Sequence, residues 1–276
     1  MTTPAIPSPS TRPTRLPGDA GQPTKAKTHQ TYHRDKETPV LSVALRTTDP
    51  FQAQRPSVVI RRARCRAELL KFRQWHELAG NTGARAAALH LADLNDAGLL
   101  SAALNGGPLP SEHSALGRGG VAALAAARTM ALVAVADGCL IGGLIAGPLI
   151  PLALQLAAHG PHAVVHVALN TIMIRAVAVL PQHRSYGVGR ALLREAVGTA
   201  RRARVPIIYG QFDTATAGLD EFYRRCGMIV TKPGAALAFS DYLAAPVRHV
   251  PPTGHALFYL PLGTVDRMRE CSRPAR

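Results

Sequence analysis

The sequence predicts an α/β (α+β) domain, and three observations predict it. An apolar alternating run over residues 172–180 leads through a loop with two close glycines, Gly187 and Gly189, into a helical pattern reaching residue 202. Two more apolar runs, 130–136 and 139–146, flank Asp137-Gly138, a pair suited to the left-handed turn of a two-residue hairpin. Residues 68–78 and 84–104 carry apolar side chains at helical spacing.

The elements follow in order. Residues 1–39 are rich in Pro, Ser, Thr, Lys and Arg and have little to bury, so they read as a disordered basic arm. Its role is either a solvated tail or a docking peptide. The folded domain is expected over 40–264, with 40–56 unassigned. A first strand is expected over 57–66, where Val58 and Ile60 alternate with Val59 and arginines. The helices 68–78 and 84–104 follow, broken by Gly80-Asn81-Thr82-Gly83. A Gly- and Pro-rich loop, 105–120, precedes the hairpin.

Beyond the hairpin, residues 149–158 read as a helix and 164–170 as an added strand or an extension of the next one. The strand 172–180 is the central one. In the helix 189–202, Leu193, Ala196, Val197 and Ala200 share a face that should pack on the sheet, while Arg190 and Arg194 share another. A strand over 205–212, closing strands over 237–243 and 256–262, and a frayed tail over 265–276 complete the chain.

The loop after the central strand carries the chemistry. Backbone N–H groups at a helix N-terminus have no intrahelical acceptor, and the helix dipole adds to their pull on anions. A glycine lets a phosphate come close to the backbone. The loop lacks the Lys-Ser/Thr of a nucleotide-triphosphate loop and the third glycine of a dinucleotide fold. It reads Arg-x-x-Gly-x-Gly through Arg184, Gly187 and Gly189, preceded by Val179-Leu-Pro181.

That pattern resembles motif A of the GCN5-related N-acetyltransferase (GNAT) superfamily, whose loop binds the pyrophosphate of acetyl-coenzyme A. A second segment, Phe222-Tyr223-Arg-Arg-Cys226-Gly227-Met228, resembles the family's aromatic-Tyr-x-x-Leu-Gly-Phe motif. A helix and a strand lie between the two, as the fold demands, and the resemblance covers residues 130–262. It departs from the pattern at Ser185, usually Gly, at Thr216, often Asn, at Leu219, and at Cys226 and Met228. The resemblance implies a mixed, mostly antiparallel central sheet flanked by helices, with a splayed central strand.

It further implies acetyl-CoA as cosubstrate and no metal. Backbone groups of Val177, Ala178 and Val179 would hold the pantetheine arm, and Arg184, Ser185, Tyr186, Gly187, Val188, Gly189 and Arg190 the pyrophosphate. Tyr223 would be the acid that protonates the departing thiolate, with Phe222 facing the core; a packed aromatic is the bland alternative. Arg190 and Arg194 read either as a solvated face or, for Arg190, as a phosphate contact. No base is assigned: the central strand has no Asp, Glu or His, and Asp213, His166, Glu221 and Asp241 stand as equal candidates beside water. His183, within the motif, reads as solvent-facing.

Composition bounds the rest. Four cysteines, Cys65, Cys139, Cys226 and Cys271, are far apart, and eleven histidines are scattered, which argues against a zinc site or a disulfide scaffold and suits a reducing cytoplasm. Thirty-two Lys and Arg against seventeen Asp and Glu give +15. Such charge suits nucleic acid, anionic substrates or an anionic membrane surface, but arginines spread along an alanine-rich chain also match the coding bias of a GC-rich genome. No aromatic–basic pattern supports RNA binding, so no nucleic-acid partner is expected. Residues 139–158 are uncharged and nearly long enough to span a bilayer, yet their Gly and Pro content favours a strand and a short helix, so no membrane partner is expected. No secretory signal is visible.

The first reading is therefore an N-acetyltransferase that passes acetyl directly to a small-molecule or peptide amine, alone or as a homodimer. The cationic chain mildly favours neutral or anionic acceptors. The alternative is a catalytically silent acyl-CoA-binding or regulatory module that keeps the loop but not the chemistry.

Overall fold

A computed structural model of the chain describes residues 57–104, 120–243 and 245–263, all within one unit, Ala53–Arg276. The basic arm, the 40–56 stretch, residues 105–119 of the Gly- and Pro-rich loop and the tail from 265 lie outside the described residues.

Strand β1 (Val58–Arg62) leads into helices α1 (Arg66–Leu70), α2 (Phe72–Leu78) and α3 (Ala84–Asp96). Helix α4 (Gly120–Ala127) precedes the hairpin of β2 (Met130–Ala136) and β3 (Cys139–Gly147). Helix α5 (Ile150–Ala153), a 3-10 segment (Leu154–His159) and α6 (Pro161–Asn170) lead to the central strand β4 (Thr171–Val179). Then come α7 (Val188–Arg202), β5 (Ile207–Asp213), α8 (Leu219–Arg225) and the short strands β6 (Ile229–Val230) and β7 (Leu237–Ala238). A one-turn helix α9 (Ser240–Leu243), β8 (Arg248–His249) and β9 (His255–Pro261) follow.

Seven strands form one sheet in the order β1-β2-β3-β4-β5-β9-β6, while β7 and β8 form a separate ribbon. Every neighbouring pair in the main sheet is antiparallel except β4 and β5, which run parallel. Their pairing is short: Thr171 to Ile174 against Ile207 to Gly210. Beyond Ile174 the β5-facing edge of β4 is unpaired, while β5 stays paired with β9 as far as Asp213. On its other side β4 follows β3, with one irregularity. Ile174 faces Ala146 and Ala176 faces Ile145, so Arg175 is the extra residue of a β-bulge. A bulge bends a strand, and this one sits where β4 leaves β5. The splayed central strand thus has a local cause.

Helices cover both faces. On one, Leu192, Leu193, Ala196 and Ala200 of α7 pack into a core with Leu132, Leu144, Ile174, Ile208 and Phe258. On the other, two groups sit side by side. Leu69, Phe72 and Trp75 from α1 and α2, with Ala88 and Leu91 of α3, pack on Val133, Ile145 and Ala178. Trp75 is 1% exposed and lies so close to Gly143 that a Cβ there would stand 2.4 Å from the indole Cδ1. Leu124 of α4, Leu152 of α5 and Val164, Val165 and Ala168 of α6 form the second group, with Met173, Ile207 and Tyr209.

Several expectations change. Residues 164–170 belong to a helix: Gly160 at φ +92 and Pro161 in the first helical turn start it, and the valines that suggested a strand fill the buried face of α6. Of 237–243 only Leu237–Ala238 is extended, paired with β8 outside the main sheet, and Ser240–Leu243 is helical. The outer strand beside β9 is instead β6. The 68–78 helix is two helices meeting at Lys71. The 84–104 helix stops at Asp96, with Gly98 at φ +69 and a 3-10 turn, Ala102–Leu104, beyond it. Residues 149–158 are a short helix passing into 3-10 structure. No helix among the described residues is long and apolar enough to cross a membrane.

Candidate active site

The loop between β4 and α7 presents unpaired backbone amides. Leu180 ends the strand with its amide on the Ile141 carbonyl at 2.9 Å, and a 3-10 turn, Pro181–His183, redirects the chain. Ser185 lies at φ +67 and Gly187 at φ +81, so the backbone coils before α7 starts at Val188. No side chain caps this helix. Among the described residues, the amides of residues 185 to 190 donate to no acceptor. The loop residues from Arg184 to Gly187 are exposed, Tyr186 at 65%. A run of unpaired amides at the N-terminus of a fifteen-residue helix is a ready anion site.

The two arginines of the motif are otherwise engaged. Arg184 turns back, its Nε donating to the Val179 carbonyl at 3.1 Å. Arg190 donates from its guanidinium to the carbonyl of Arg225, at the end of α8. Their backbones shape the loop while their side chains tie it to its surroundings. Arg194 is exposed on α7.

Behind the loop, the unpaired edge of β4 from Arg175 to Val179 opens a cleft toward β5. Tyr223 borders it from α8. Its ring stacks on Phe258 at 3.7 Å and 11° and lies 5.4 Å from Phe212, a β5 residue beyond the last β4–β5 pair. Both aromatics meet the core: Tyr223 is buried, at 5% exposure, and Phe222 is half-buried, packed on the same core and against Gly189. The helical turn of α8 sets this: Leu219 and Tyr223, four apart, face the sheet together. Burial, and secondarily the nearby Cys226, pushes the Tyr223 phenol well above its usual range, so it stays protonated.

On the opposite face, between the α1–α3 group and α4, lies a cavity of about 270 Å³. Its walls are apolar, including Leu91, Leu94, Ala122, Ala126 and Ile145, and its polar groups are His76, His90, Thr129 and Arg175. The bulge delivers Arg175 here. Asn81 holds the bulge, its Nδ2 donating to the Arg175 carbonyl at 3.0 Å and lying 3.4 Å from His76 Nδ1. That amide orientation makes Nδ1 an acceptor and leaves the imidazole proton on Nε2. Burial first, and the Arg175 charge second, lower the His76 pKa and keep the ring neutral. Thr129 Oγ1 donates to Ala125 O at 2.7 Å and accepts from Arg175 at 3.4 Å.

The base candidates read from the sequence lie elsewhere. His166 is locked in α6, its Nε2 2.9 Å from the Leu243 carbonyl and Asn170 Nδ2 3.3 Å from Nδ1. Asp213 caps a turn by accepting from the Ala215 amide, Glu221 pairs with Arg225 at 3.3 Å, and Asp241 is bonded to Ser240. None of the four lines the cavity. The residues that do, His76, His90, Thr129 and Arg175, share no spacing that a reader of the chain could use. Among the described residues no cluster of three His, Cys, Asp or Glu side chains forms a metal site.

Residues 109–228 match the sequence model of the acetyltransferase (GNAT) family. No curated protein matches the chain. Among solved structures, a Desulfovibrio desulfuricans protein assigned to the GNAT family is 18% identical and covers 75% of this chain and 100% of its own, with a TM-score of 0.46. The ribosomal-protein-alanine N-acetyltransferase of Brucella melitensis is 17% identical and covers 74% and 99%, with a TM-score of 0.43. An IAA acetyltransferase from Bacillus cereus is 16% identical and covers 75% and 100%, with a TM-score of 0.42. All three similarities are distant.

Proposed function

We propose that this chain, whose residues 109–228 match the acetyltransferase (GNAT) family model, is an acetyl-CoA-dependent N-acetyltransferase that moves acetyl directly to an amine. The observation that carries this reading is the run of unpaired amides over residues 185–190 at the head of α7, continuous with the unpaired edge of β4. An extended pyrophosphate followed by a pantetheine arm fits that sequence of donors.

In this reading the amides of Ser185, Tyr186, Gly187, Val188, Gly189 and Arg190 take the pyrophosphate, and the pantetheine arm runs along β4 past Val179 and Ala178 toward Val177. Of the strand's backbone N–H groups, those of Val177 and Val179 face the unpaired edge, the Ala178 amide facing β3, and they stabilise the thioester oxygen as negative charge builds on it. The amine nitrogen attacks the thioester carbon, the new C–N bond forms and the C–S bond breaks. Tyr223 gives its phenolic proton to the departing sulfur, and the proton lost by the amine, through water, restores the phenol.

Calorimetry with coenzyme A and thiol release from acetyl-CoA in the presence of amines test this together. Micromolar binding with amine-dependent thiol release is expected. Binding without release across a broad amine panel makes the protein a silent acyl-CoA-binding module, and no binding at millimolar coenzyme A ends the reading.

A further inference from the structure

Arg175 lines the cavity without an anionic partner among the described residues. Protein atoms crowd its guanidinium enough to pull its pKa below the ordinary arginine value, although the open cavity leaves the residue in contact with water. Among the described residues no carboxylate pairs with it, and its one side-chain hydrogen bond is the long contact to Thr129. A guanidinium that no carboxylate claims is free to pair with an incoming anion. Among the described residues no Asp or Glu lines the cavity, and the other polar groups there are a neutral His76, the imidazole of His90 and a hydroxyl. The remaining wall is aliphatic.

We propose that this cavity is the acceptor pocket and that it selects a small amine carrying a carboxylate, an amino acid with an aliphatic body, which Arg175 holds by its carboxylate. The inference rests on the acetyltransferase reading for its catalytic sense. A planar guanidinium matches a carboxylate in bidentate fashion, which gives orientation as well as attraction. Val177, beside which the thioester carbonyl is placed, lies two residues along β4 from Arg175, roughly 6–7 Å of strand. The amine must therefore be close to the carboxylate, as in an α- or β-amino acid, and not at the far end of a long molecule. The volume of about 270 Å³ falls just below the roughly 300–1,000 Å³ of ligand pockets for drug-sized molecules, which suits a small acceptor. The aliphatic wall around Leu91, Leu94, Ala122 and Ile145 takes the side chain.

The test is calorimetry on the full chain, with and without saturating coenzyme A, using L-leucine, L-leucinamide and 3-methylbutylamine. These share the aliphatic body and differ in the carboxylate. Leucine should bind at least tenfold more tightly than the other two, about 1.4 kcal/mol. Arg175→Met should erase that preference and Arg175→Lys should keep part of it. Equal or tighter binding of the amide or the plain amine overturns the proposal, as does absence of leucine binding in both states up to about 10 mM. The ligand comparison on the unmodified chain decides the matter even if a variant fails to fold. Failure of the acetyltransferase reading is separate: it shows as coenzyme A that does not bind or thiol that is not released.

Discussion

The ring of Phe222 lies against Gly189, so that a Cβ at 189 would stand 3.2 Å from Phe222 Cζ. The two sequence motifs are therefore one packed unit, in which the head of α7 is pressed from outside by α8. Any methyl at 189 moves the ring or the loop. Gly189→Ala is expected to weaken coenzyme A binding about tenfold, roughly 1.4 kcal/mol. Pairing it with Phe222→Leu should restore part of that loss, a coupling of about 0.5–1 kcal/mol in a double-mutant cycle read by calorimetry. Strict additivity would show that the contact has no energetic weight.

Ser185 occupies φ +67, a conformation that costs an L-residue about 1–2 kcal/mol. It is also the position where the resemblance expects glycine. Ser185→Gly should raise unfolding stability by about 1 kcal/mol in denaturant titration. A drop in stability would mean that the hydroxyl contributes more than the backbone strain costs.

Tyr223→Phe removes the phenolic proton and leaves the stack on Phe258 intact. If Tyr223 is the acid, kcat should fall about 100-fold while coenzyme A affinity stays within twofold. Unchanged kcat at saturating substrates removes Tyr223 from that role and leaves it a core aromatic.

Glu68 ties α1 to the edge strand. Its carboxylate accepts from Arg61 at 2.8 and 2.6 Å and from the Arg64 amide at 2.7 Å. Chiefly through Arg61, the carboxyl is held at about 2, below its ordinary 4.5. A depressed carboxyl pKa adds stability above the unfolded value and loses it as pH falls through the folded value. Glu68→Gln should cost about 1–2 kcal/mol at neutral pH. The gap between variant and parent should close as pH falls from 4.5 toward 2, read by urea unfolding. A gap that does not depend on pH would point to packing alone.

Where neighbours in sequence are also neighbours in space, the chain was readable. The face of α7 bearing Leu193, Ala196 and Ala200 is buried as its spacing required, and Asp137-Gly138 makes the hairpin turn with φ +49 and +76. The valines of 164–168 misled because β-branched residues serve a buried helix as well as a strand, and Pro161 decided between them. Residues 237–243 looked like a strand of the main sheet, but their extended part pairs with Arg248 and His249 and Phe239 bonds to Val247, outside that sheet.

Alone, the order of residues determined the strand–loop–helix around Gly187 and Gly189, because backbone angles, helix phase and turn chemistry act over a few residues. Tertiary structure decided what stands opposite that loop. Arg175 reaches the cavity only because β4 carries one residue more than β3 at the bulge, and His76, His90 and Thr129 meet it only because α2, α3 and α4 dock on one face. Register between strands and docking of helices depend on contacts between residues far apart in the chain, and no local pattern records them.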